Sequence, residues 1–548
     1  MQITKRKLIP CYFPLVISFV LCILYPLSSL CAAPPRDGIR RPDDPIDGVA
    51  RIADPIRLRT LGYSAAQIRQ AIGSEGTKNI AVIFMNFPSA DGTTSGFPTI
   101  LGYPTIVENV KRMTTFYAEA SYGRLNLAFF FFPSTFSAYT ANHPMQNYAG
   151  TNGHILIKEG IQQSGVRKSI YNAVMVVHAG FGRESTFAPG DIYSAFYSNF
   201  AVTNGFTEGF IVPEFQHRAS PFGVYVHEMG HQLGLPDLYN TVTGRSQVGV
   251  WCLMDYGTWA GNGAKPSMLS AWCREYLGWL DVSTVTTSGK HHLKTATSDR
   301  RIHKIRIDVA TNPDKEYFLI EYRRKDDPAA FYDKALPGNG VLIWHINNAV
   351  GVVRNNDVNN YAVRRVDLEE ADNSDPSTNR GDRGDPWPGQ KLVFSSPDSN
   401  AYNGQPSGVA IGGFNFHLSS VTFSIDKILA SPTLALLKAI NYPNPAGRGY
   451  FHPRAGIMTT INFQMSRPAQ SMNLAIYNLS GERILNVPKD KLALRMGSGI
   501  GGSSDGKWVY EYDWDGKDES GNPVAPGIYL YRLRADNQVK VGKMVVER

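Results

Sequence analysis

The chain has 548 residues, of which 43% are hydrophobic and 19% are charged. This length and composition predict roughly two to four globular domains and exclude a disordered or fibrous protein. The formal net charge of +8 is small for the length, and no dense basic cluster with interleaved aromatic residues is present, which argues against nucleic-acid binding.

The first 33 residues have the pattern of a secretory signal peptide. A basic start precedes a long apolar stretch and then small residues, with cleavage predicted near Ala32 or Ala33. An uncleaved anchor is the alternative, because the apolar stretch approaches the ~20 residues that a membrane span needs. Pro14 and Pro26 favour cleavage. The mature protein is therefore expected to be secreted or attached to the cell surface, with no stable membrane span.

Residues 34–75 are rich in Pro, Asp and Arg and are predicted to form an exposed leader or short pro-segment. Residues 76–284 are predicted to form an α+β domain in which strands alternate with helices. The strands are expected at 79–87, 125–132 and 171–180, and the helices at 105–121, 154–163 and 266–280.

Two further regions are predicted to be built from strands. Residues 285–438 contain β-rich runs separated by long polar loops and are interpreted as a β-rich extension of the preceding body. A linker is predicted at 441–453. Residues 439–548 have short strands with turn signals, a pattern typical of a β-sandwich.

The stretch "VHEMGHQLGLPDLY" at 226–239 combines the polar groups of a possible metal site. Ser220 and Pro221 are suited to begin a helix and Gly234 to end it. His227 and His231 then lie one turn apart on one face, with Glu228 beside them, which is the H-E-x-x-H pattern.

Asp237 follows His231 by six residues. After the turn at Gly234 its carboxylate can complete a set of three zinc ligands, with a fourth position open to water. A structural zinc site is the alternative, but it would require four protein ligands.

The stretch "HEMGHQLGLPDLY" resembles the extended metzincin signature and, more narrowly, the immune inhibitor A-like (M6) family of secreted bacterial zinc metalloproteases. "GVWCLMDYGTWAG", "AEASYGRLNL", "VVHAGFGRES" and "SAWCREYLGWL" are similar to other segments of that family. The resemblance spans about 76–430. It implies a metzincin-like catalytic domain with a twisted mixed sheet and an active-site helix.

The resemblance also implies roles for individual residues. His227, His231 and Asp237 are expected to bind zinc, and Glu228 is expected to act as the general base. Met254 is expected to form the Met-turn beneath the metal. Tyr256 is expected either to stabilise the oxyanion or to pack against the Met-turn. His178 is expected either to line the cleft or to have a structural role.

These expectations predict a secreted zinc-dependent endopeptidase that hydrolyses peptide bonds in proteins. The alternatives are a surface-attached binding protein with a vestigial protease domain, and a zinc hydrolase that acts on another substrate. The leader is expected to be a flexible extension or to cover the metal through Asp43, Asp44, Asp47 or Asp54. No cysteine lies between the signal and Cys252, which excludes a cysteine switch.

Two features leave alternatives open. Asp372, Asp375, Asp382 and Asp385 lie in one loop and offer either a calcium site or a solvated acidic surface. Cys252 and Cys273, the only cysteines after the signal, could form a disulfide or remain free thiols.

The segments "YPNP", "IYNLSG", "WDGKD" and "GIYLYRL" resemble FlgD-like/Por secretion (type IX) C-terminal sorting domains. This resemblance covers about 440–548 and implies an immunoglobulin-like β-sandwich that contacts secretion machinery. An accessory sandwich that binds substrate or cell wall is the alternative.

Overall fold

The computed structural model describes residues 31–37, 49, 52–88, 99–328, 330–427, 436–447, 456–465, 469, 471–495, 508–536 and 538–547. Most of the predicted signal peptide, together with Asp43, Asp44 and Asp47, lies outside these residues. The described chain is a mixed α+β structure, rich in strands and with few helices. Among the described residues, no helix is both long and apolar enough to cross a membrane.

A mixed sheet forms the first part of the chain. Its strands are β1 (Cys31–Ala32), β2 (Gly76–Asn86), β3 (Leu125–Phe132), β4 (Tyr139–Thr140), β5 (Ala173–Phe181), β6 (Ala195–Thr203) and β7 (Phe206–Phe215). Their order is β1-β6-β7-β5-β2-β3, with β4 paired to β2. β2, β3, β5 and β7 run parallel, whereas β6 is antiparallel to β7 and β1 to β6. The predicted strands at 79–87, 125–132 and 171–180 are confirmed as β2, β3 and β5.

Seven α-helices accompany this sheet in the described chain. They are α1 (Pro55–Thr60), α2 (Ala65–Ile72), α3 (Tyr103–Ala120), α4 (Gly153–Ser164), α5 (Arg183–Thr186), α6 (Phe222–Gln232) and α7 (Ala271–Tyr276). The helical spacing of Ile106, Val110, Met113 and Tyr117 puts one buried stripe on α3, as the sequence predicts.

The helix predicted over 266–280 is wrong in length and character. α7 has only six residues, and all of them are buried, including Arg274 and Glu275, so it has no exposed face. It begins after Ser270, whose hydroxyl accepts a hydrogen bond from the N–H of Cys273 at 3.3 Å. Capping by this serine therefore starts the helix five residues later than the pattern suggests.

The β-rich extension contains two further sheets. Its elements are β8 (Asp281–Thr284), β9 (Gly289–Lys294), β10 (Arg301–Arg306), β11 (Glu316–Arg323), β12 (Gly340–Asn347), β13 (Val366–Leu368), α8 (Pro376–Asn379), β14 (Val409–Phe416) and β15 (Ser420–Lys427). The sheet orders are β13-β12-β11-β10-β8 and β14-β15-β9.

β11 and β12 are buried on both faces. Alternate residues such as Leu319 and Trp344 enter the core of the first sheet and its helices. Their neighbours Phe318 and Ile343 enter a separate core of the extension. The extension therefore shares a hydrophobic core with the first part of the chain.

The last part of the chain consists of two sheets around one apolar core. Its strands are β16 (Leu436–Tyr442), β17 (Ala446–Gly447), β18 (Thr459–Met465), β19 (Met472–Asn478), β20 (Arg483–Pro488), β21 (Ala493–Arg495), β22 (Trp508–Trp514), β23 (Gly527–Ala535) and β24 (Gln538–Glu547). The orders are β16-β18-β22-β21 and β17-β24-β23-β19-β20. Both sheets contribute to the core, for example through Phe463, Trp514, Leu474 and Leu533.

β16 and β17 overlap the beginning of the predicted linker at 441–453. β16 pairs with β18 along its length, so this strand belongs to the C-terminal sheets. Residues 448–453 of the predicted linker lie outside the described residues.

Candidate metal centre and active site

α6 carries the H-E-x-x-H residues inside the protein rather than on its surface. All residues from Phe222 to His231 are buried. Pro221 rather than Ser220 occupies the N-cap position, although the Ser220 hydroxyl still accepts the N–H of Phe222 at 3.2 Å. From α3, the Tyr117 hydroxyl donates to the carbonyl of Val226 at 2.5 Å. Packing on several sides fixes the helix.

Two glycines allow the close packing around α6. A Cβ at Gly230 would lie 2.6 Å from the sulfur of Met254, so only glycine leaves room for this methionine beneath the helix. Gly234 follows the helix with φ 91°, a left-handed conformation that side chains rarely adopt. The chain turns there and brings Asp237 back towards the helix, as the sequence predicts.

The candidate ligand atoms of His227, His231 and Asp237 converge. Asp237 Oδ1 lies 3.0 Å from His227 Nε2 and 3.4 Å from His231 Nε2. The two Nε2 atoms are 3.2 Å apart. All three side chains are fully buried or nearly so. Burial alone would raise the pKa of Asp237, but the two histidines outweigh it and the pKa is lowered.

Hydrogen bonds on the far side of each residue fix this orientation. His227 Nδ1 is 3.0 Å from the carbonyl of Leu253, and His231 Nδ1 is 2.8 Å from that of Leu235. A carbonyl only accepts, so each Nδ1 carries a hydrogen and, in the neutral imidazole, Nε2 is the nitrogen whose lone pair can bind a metal. This is the tautomer that a metal ion requires.

Asn356, which lies in the extension, holds the carboxylate of Asp237, the third candidate ligand. Its Nδ2 donates to Asp237 Oδ2 at 2.7 Å, and its Oδ1 accepts the N–H of Asp237 at 2.6 Å. This leaves Asp237 Oδ1 directed at the histidines. Sequence reasoning missed Asn356, because it lies 119 residues away and belongs to no recognisable motif.

Glu228 is fully buried beside this centre. In the described part of the chain, neither of its carboxylate oxygens has a partner in hydrogen-bond geometry. Burial, followed by the charges of Asp237 and Glu184, raises the pKa of Glu228 well above its ordinary value. The nearby backbone amides of Ala33 and Phe196 oppose that rise. A carboxylate in this state is suited to take up a proton.

The remaining predicted residues have clear positions. Met254 is fully buried, and its carbonyl accepts the N–H of Leu238 at 2.7 Å. The Tyr256 hydroxyl accepts a hydrogen bond from Arg380 Nη1 at 2.8 Å. His178 is buried in β5, where burial lowers its pKa to about 4, and its Nδ1 lies 2.9 Å from the carbonyl of Ala179. Asp54 caps α1 by accepting the N–H of Ile56 at 2.9 Å.

The floor around Met254 is held by a buried ion network that the sequence does not suggest. Arg323 of β11 donates to both carboxylate oxygens of Asp333 at 2.6 Å and to the carbonyl of Trp251 at 3.2 Å. Nearby, Cys252 and Cys273 are free thiols with their sulfur atoms 3.9 Å apart. The extension thus stabilises the segment that carries Met254.

The structure brings three of the four loop aspartates together. Carboxylate oxygens of Asp372, Asp382 and Asp385 lie within 4.8 Å of one another, and this group is called the acidic loop cluster. Asp375 does not join it, because it caps α8 and pairs with Arg364 at 2.7 Å. Burial raises the pKa of Asp385 to about 7. The inclusion of Asp375 in a calcium site is therefore wrong.

Comparison with known proteins supports a peptidase-like region around α6. Residues 203–280 match the family model of the immune inhibitor A peptidase M6 catalytic domain. Over 59 residues, the chain is 46% identical to the pre-pro-metalloprotease PrtV of Vibrio cholerae, a match that covers 10% of this chain and 6% of PrtV. Over 58 residues, it is 45% identical to immune inhibitor A of Bacillus thuringiensis, covering 10% of this chain and 8% of that protein.

The chain thus matches less than a tenth of the length of these curated relatives. Among solved structures, PorZ, a surface component of the type IX secretion system of Porphyromonas gingivalis, aligns with 45% of this chain and 22% of its own. The identity is 14% and the TM-score is 0.17, which is too low to support an argument about fold.

Proposed function

We propose that the protein is a secreted zinc-dependent endopeptidase that hydrolyses peptide bonds in proteins. One observation carries the proposal: two histidine Nε2 atoms and an aspartate oxygen converge beside a buried glutamate. Residues 203–280, which include all four side chains, match a peptidase catalytic domain. A metzincin-like arrangement of the catalytic region belongs to the same proposal.

The donor set fits zinc. His227, His231 and Asp237 would hold the ion through two nitrogens and one carboxylate oxygen, which is a combination found at catalytic zinc sites. When bound, zinc polarises the scissile carbonyl and increases the acidity of water.

Glu228 would take the proton of the attacking water and pass it to the leaving amine. Its burial favours the protonated form, so it is suited to hold the proton between these two events. Arg380 uses an acceptor position of the Tyr256 hydroxyl and leaves the hydroxyl hydrogen available. Tyr256 would donate that hydrogen to the developing oxyanion.

The C-terminal sheets are proposed to form an immunoglobulin-like sorting domain that contacts secretion machinery. The support is the sequence resemblance together with the two-sheet architecture around one core. In this proposal the protein is exported and remains secreted or attached to the cell surface.

The first test is casein cleavage by the purified protein with and without a zinc chelator, beside Glu228→Gln. Loss of the general base should lower turnover by about 10²–10⁴-fold. Metal analysis should show that Glu228→Gln retains zinc, because its ligands are untouched. Unchanged turnover in Glu228→Gln would reject Glu228 as the general base. Wild-type protein that binds zinc but cleaves nothing would favour a vestigial binding protein instead.

A further inference from the structure

Two histidines of the extension, His291 of β9 and His303 of β10, lie against each other outside the candidate active site. Their ring centroids are 4.9 Å apart and the ring planes meet at 74°. β9 belongs to the three-stranded sheet of the extension and β10 to the five-stranded sheet. The two rings, together called the inter-sheet histidine pair, therefore connect the two sheets.

Strand alternation turns both side chains towards the core of the extension. Successive side chains point to opposite faces of a strand, so His291 shares a face with Leu293. In the same way, His303 shares a face with Ile305, and both apolar residues belong to this core. Phe423 of β15 is paired with His291 in the ladder, and its ring centroid lies 6.2 Å from that of His291 and 6.0 Å from that of His303. The inter-sheet histidine pair therefore borders an apolar layer.

Three nitrogens of the pair are buried without a hydrogen-bond partner among the described residues. They are Nε2 of His291 and both ring nitrogens of His303. Such nitrogens are rare in proteins, because a buried polar atom that has lost its water needs another partner. Each histidine as a whole keeps some exposed surface, which leaves a small ion a short path from solvent. An ion that accepts one lone pair from each ring would give both histidines a partner.

The two rings are neutral at physiological pH, as metal binding requires. Burial, followed by the neighbouring His291, lowers the pKa of His303 to about 4. The nearby backbone of His292 opposes this fall but does not outweigh it. Burial also lowers the pKa of His291. A neutral imidazole keeps one nitrogen lone pair available for a metal ion.

The candidate metal centre provides a geometric reference for the pair. The ring centroids of His227 and His231 are also 4.9 Å apart, with an angle of 80° between the planes, and there the two Nε2 atoms approach to 3.2 Å. The inter-sheet histidine pair has nearly the same mutual arrangement. We propose that His291 and His303 bind a divalent transition-metal ion that joins the two sheets of the extension, with water in the remaining coordination positions.

The chemistry of the donors indicates which ions the site would take. Imidazole nitrogens suit zinc, nickel and copper, and of these Cu²⁺ binds a given set of donors most tightly. The site goes beyond the proposed function, because its ion would link two sheets rather than activate water. It shares no ligand with the candidate metal centre.

The test is copper binding by the full chain, loaded with zinc and free of any histidine tag. Cu²⁺ is titrated by calorimetry, and electron paramagnetic resonance of the 1:1 complex counts the nitrogen donors. One tightly bound Cu²⁺ with two nitrogen donors is expected. His291→Phe and His303→Phe keep an aromatic ring beside Phe423. Each should weaken binding by more than about tenfold, since even loss of an outer hydrogen-bond partner of a metal ligand costs that much.

His292→Phe is the matched control, because His292 is exposed on the other face of β9. It should bind Cu²⁺ as tightly as the unmodified protein. Equal weakening by His292→Phe and His303→Phe would overturn the proposal. Heat unfolding checks that each variant is folded, and the count of nitrogen donors in the unmodified protein requires no variant.

His227→Ala separates this site from the candidate metal centre, because it removes a ligand there and none here. The signal from two nitrogen donors should persist in His227→Ala and disappear in His303→Phe. The opposite pattern, or no uptake of Cu²⁺ by the unmodified protein, would overturn the proposal. Casein cleavage is not part of this readout, so failure of the proposed function would leave the result unaffected.

Discussion

The candidate metal centre and the acidic loop cluster both gather carboxylates, but they direct their oxygens differently. At the metal centre, far-side bonds to Leu253, Leu235 and Asn356 leave one atom of each residue facing a common point. In the acidic loop cluster the loop itself uses the oxygens. Asp372 accepts the N–H of Ser374 at 2.8 Å, and Asp382 that of Gly384 at 2.6 Å.

This difference separates a preorganised site from a self-structured loop. Ligands whose orientation is already fixed by hydrogen bonds on their far side need little rearrangement when an ion binds. The loop carboxylates must first lose their hydrogen bonds to backbone amides. The sequence predicts zinc binding at the first cluster and leaves the second open between a calcium site and a solvated acidic surface. The far-side hydrogen bonds distinguish them.

Removal of one carboxylate from each cluster should give the largest contrast. Asp237→Ala should lose bound zinc and lower casein turnover by more than the ~100-fold that loss of an outer hydrogen-bond partner costs. Asp382→Ala should keep both zinc and turnover. Zinc content after dialysis and initial rates on casein measure this. Equal loss in the two variants would remove the distinction between the clusters.

Asn356→Ala tests the far-side support itself. Asp237 would remain but lose both bonds that orient it, so zinc affinity or casein turnover should fall by about 10–100-fold. Asn355→Ala is the matched control, because the neighbouring asparagine is exposed. A competitive chelator titration gives the affinities. Identical affinities in the two variants would show that the orientation of Asp237 does not depend on Asn356.

His345 is a buried histidine whose nitrogens are both used, so it should serve stability rather than chemistry. Its nitrogens lie 3.1 Å from Glu316 and 2.8 Å from Glu369. Burial opposes the charged form, but the two glutamates outweigh it and raise the pKa of His345 to about 9. The stabilisation should therefore be complete below the unfolded pKa of about 6.5 and be lost as pH rises through about 9.

Urea unfolding at pH 6 and pH 10 checks this expectation. The free energy of unfolding of the unmodified protein should fall between these pH values, by on the order of 1–3 kcal/mol. His345→Gln should show a smaller fall. If the variant and the unmodified protein lose the same free energy, another group controls this range.

Calcium should have the smallest effect. With all three carboxylates already accepting loop amides, a weak site is expected. Calcium at about ten times its dissociation constant would raise Tm by only about 1–2 °C for a chain of this size. Asp385→Asn should abolish that shift. Differential scanning calorimetry with and without calcium measures it. A shift in Tm of many degrees would show that the acidic loop cluster is preorganised to bind calcium, as the candidate metal centre is for zinc.

The parts of the site that lie close in sequence could be predicted. The i, i+4 spacing of His227 and His231, the turn at Gly234 and the return to Asp237 are local, and the structure brings these side chains together. The strands β2, β3 and β5 could also be predicted from the sequence, because a run of apolar residues bounded by turn signals identifies a buried strand.

The parts that depend on distant residues could not be predicted. Asn356, Arg323 and Arg380 reach the site from the extension. No periodic sequence pattern identifies which distant residue such a polar side chain contacts. The length of α7 was wrong for a related reason. Its apolar residues are buried on every side, so the pattern of one face does not define where the helix begins.

The two-faced burial of β11 and β12 has a practical consequence for expression. A shortened protein ending at residue 284 would retain His227, Glu228, His231 and Asp237. However, it would lose Asn356, Arg323 and Arg380, and it would expose the apolar surface that Leu319 and Trp344 cover. Such a fragment should be insoluble and unable to hold zinc. Expression trials that treat 76–284 as a detachable catalytic unit would therefore yield inactive aggregates, which could be mistaken for a natural lack of activity.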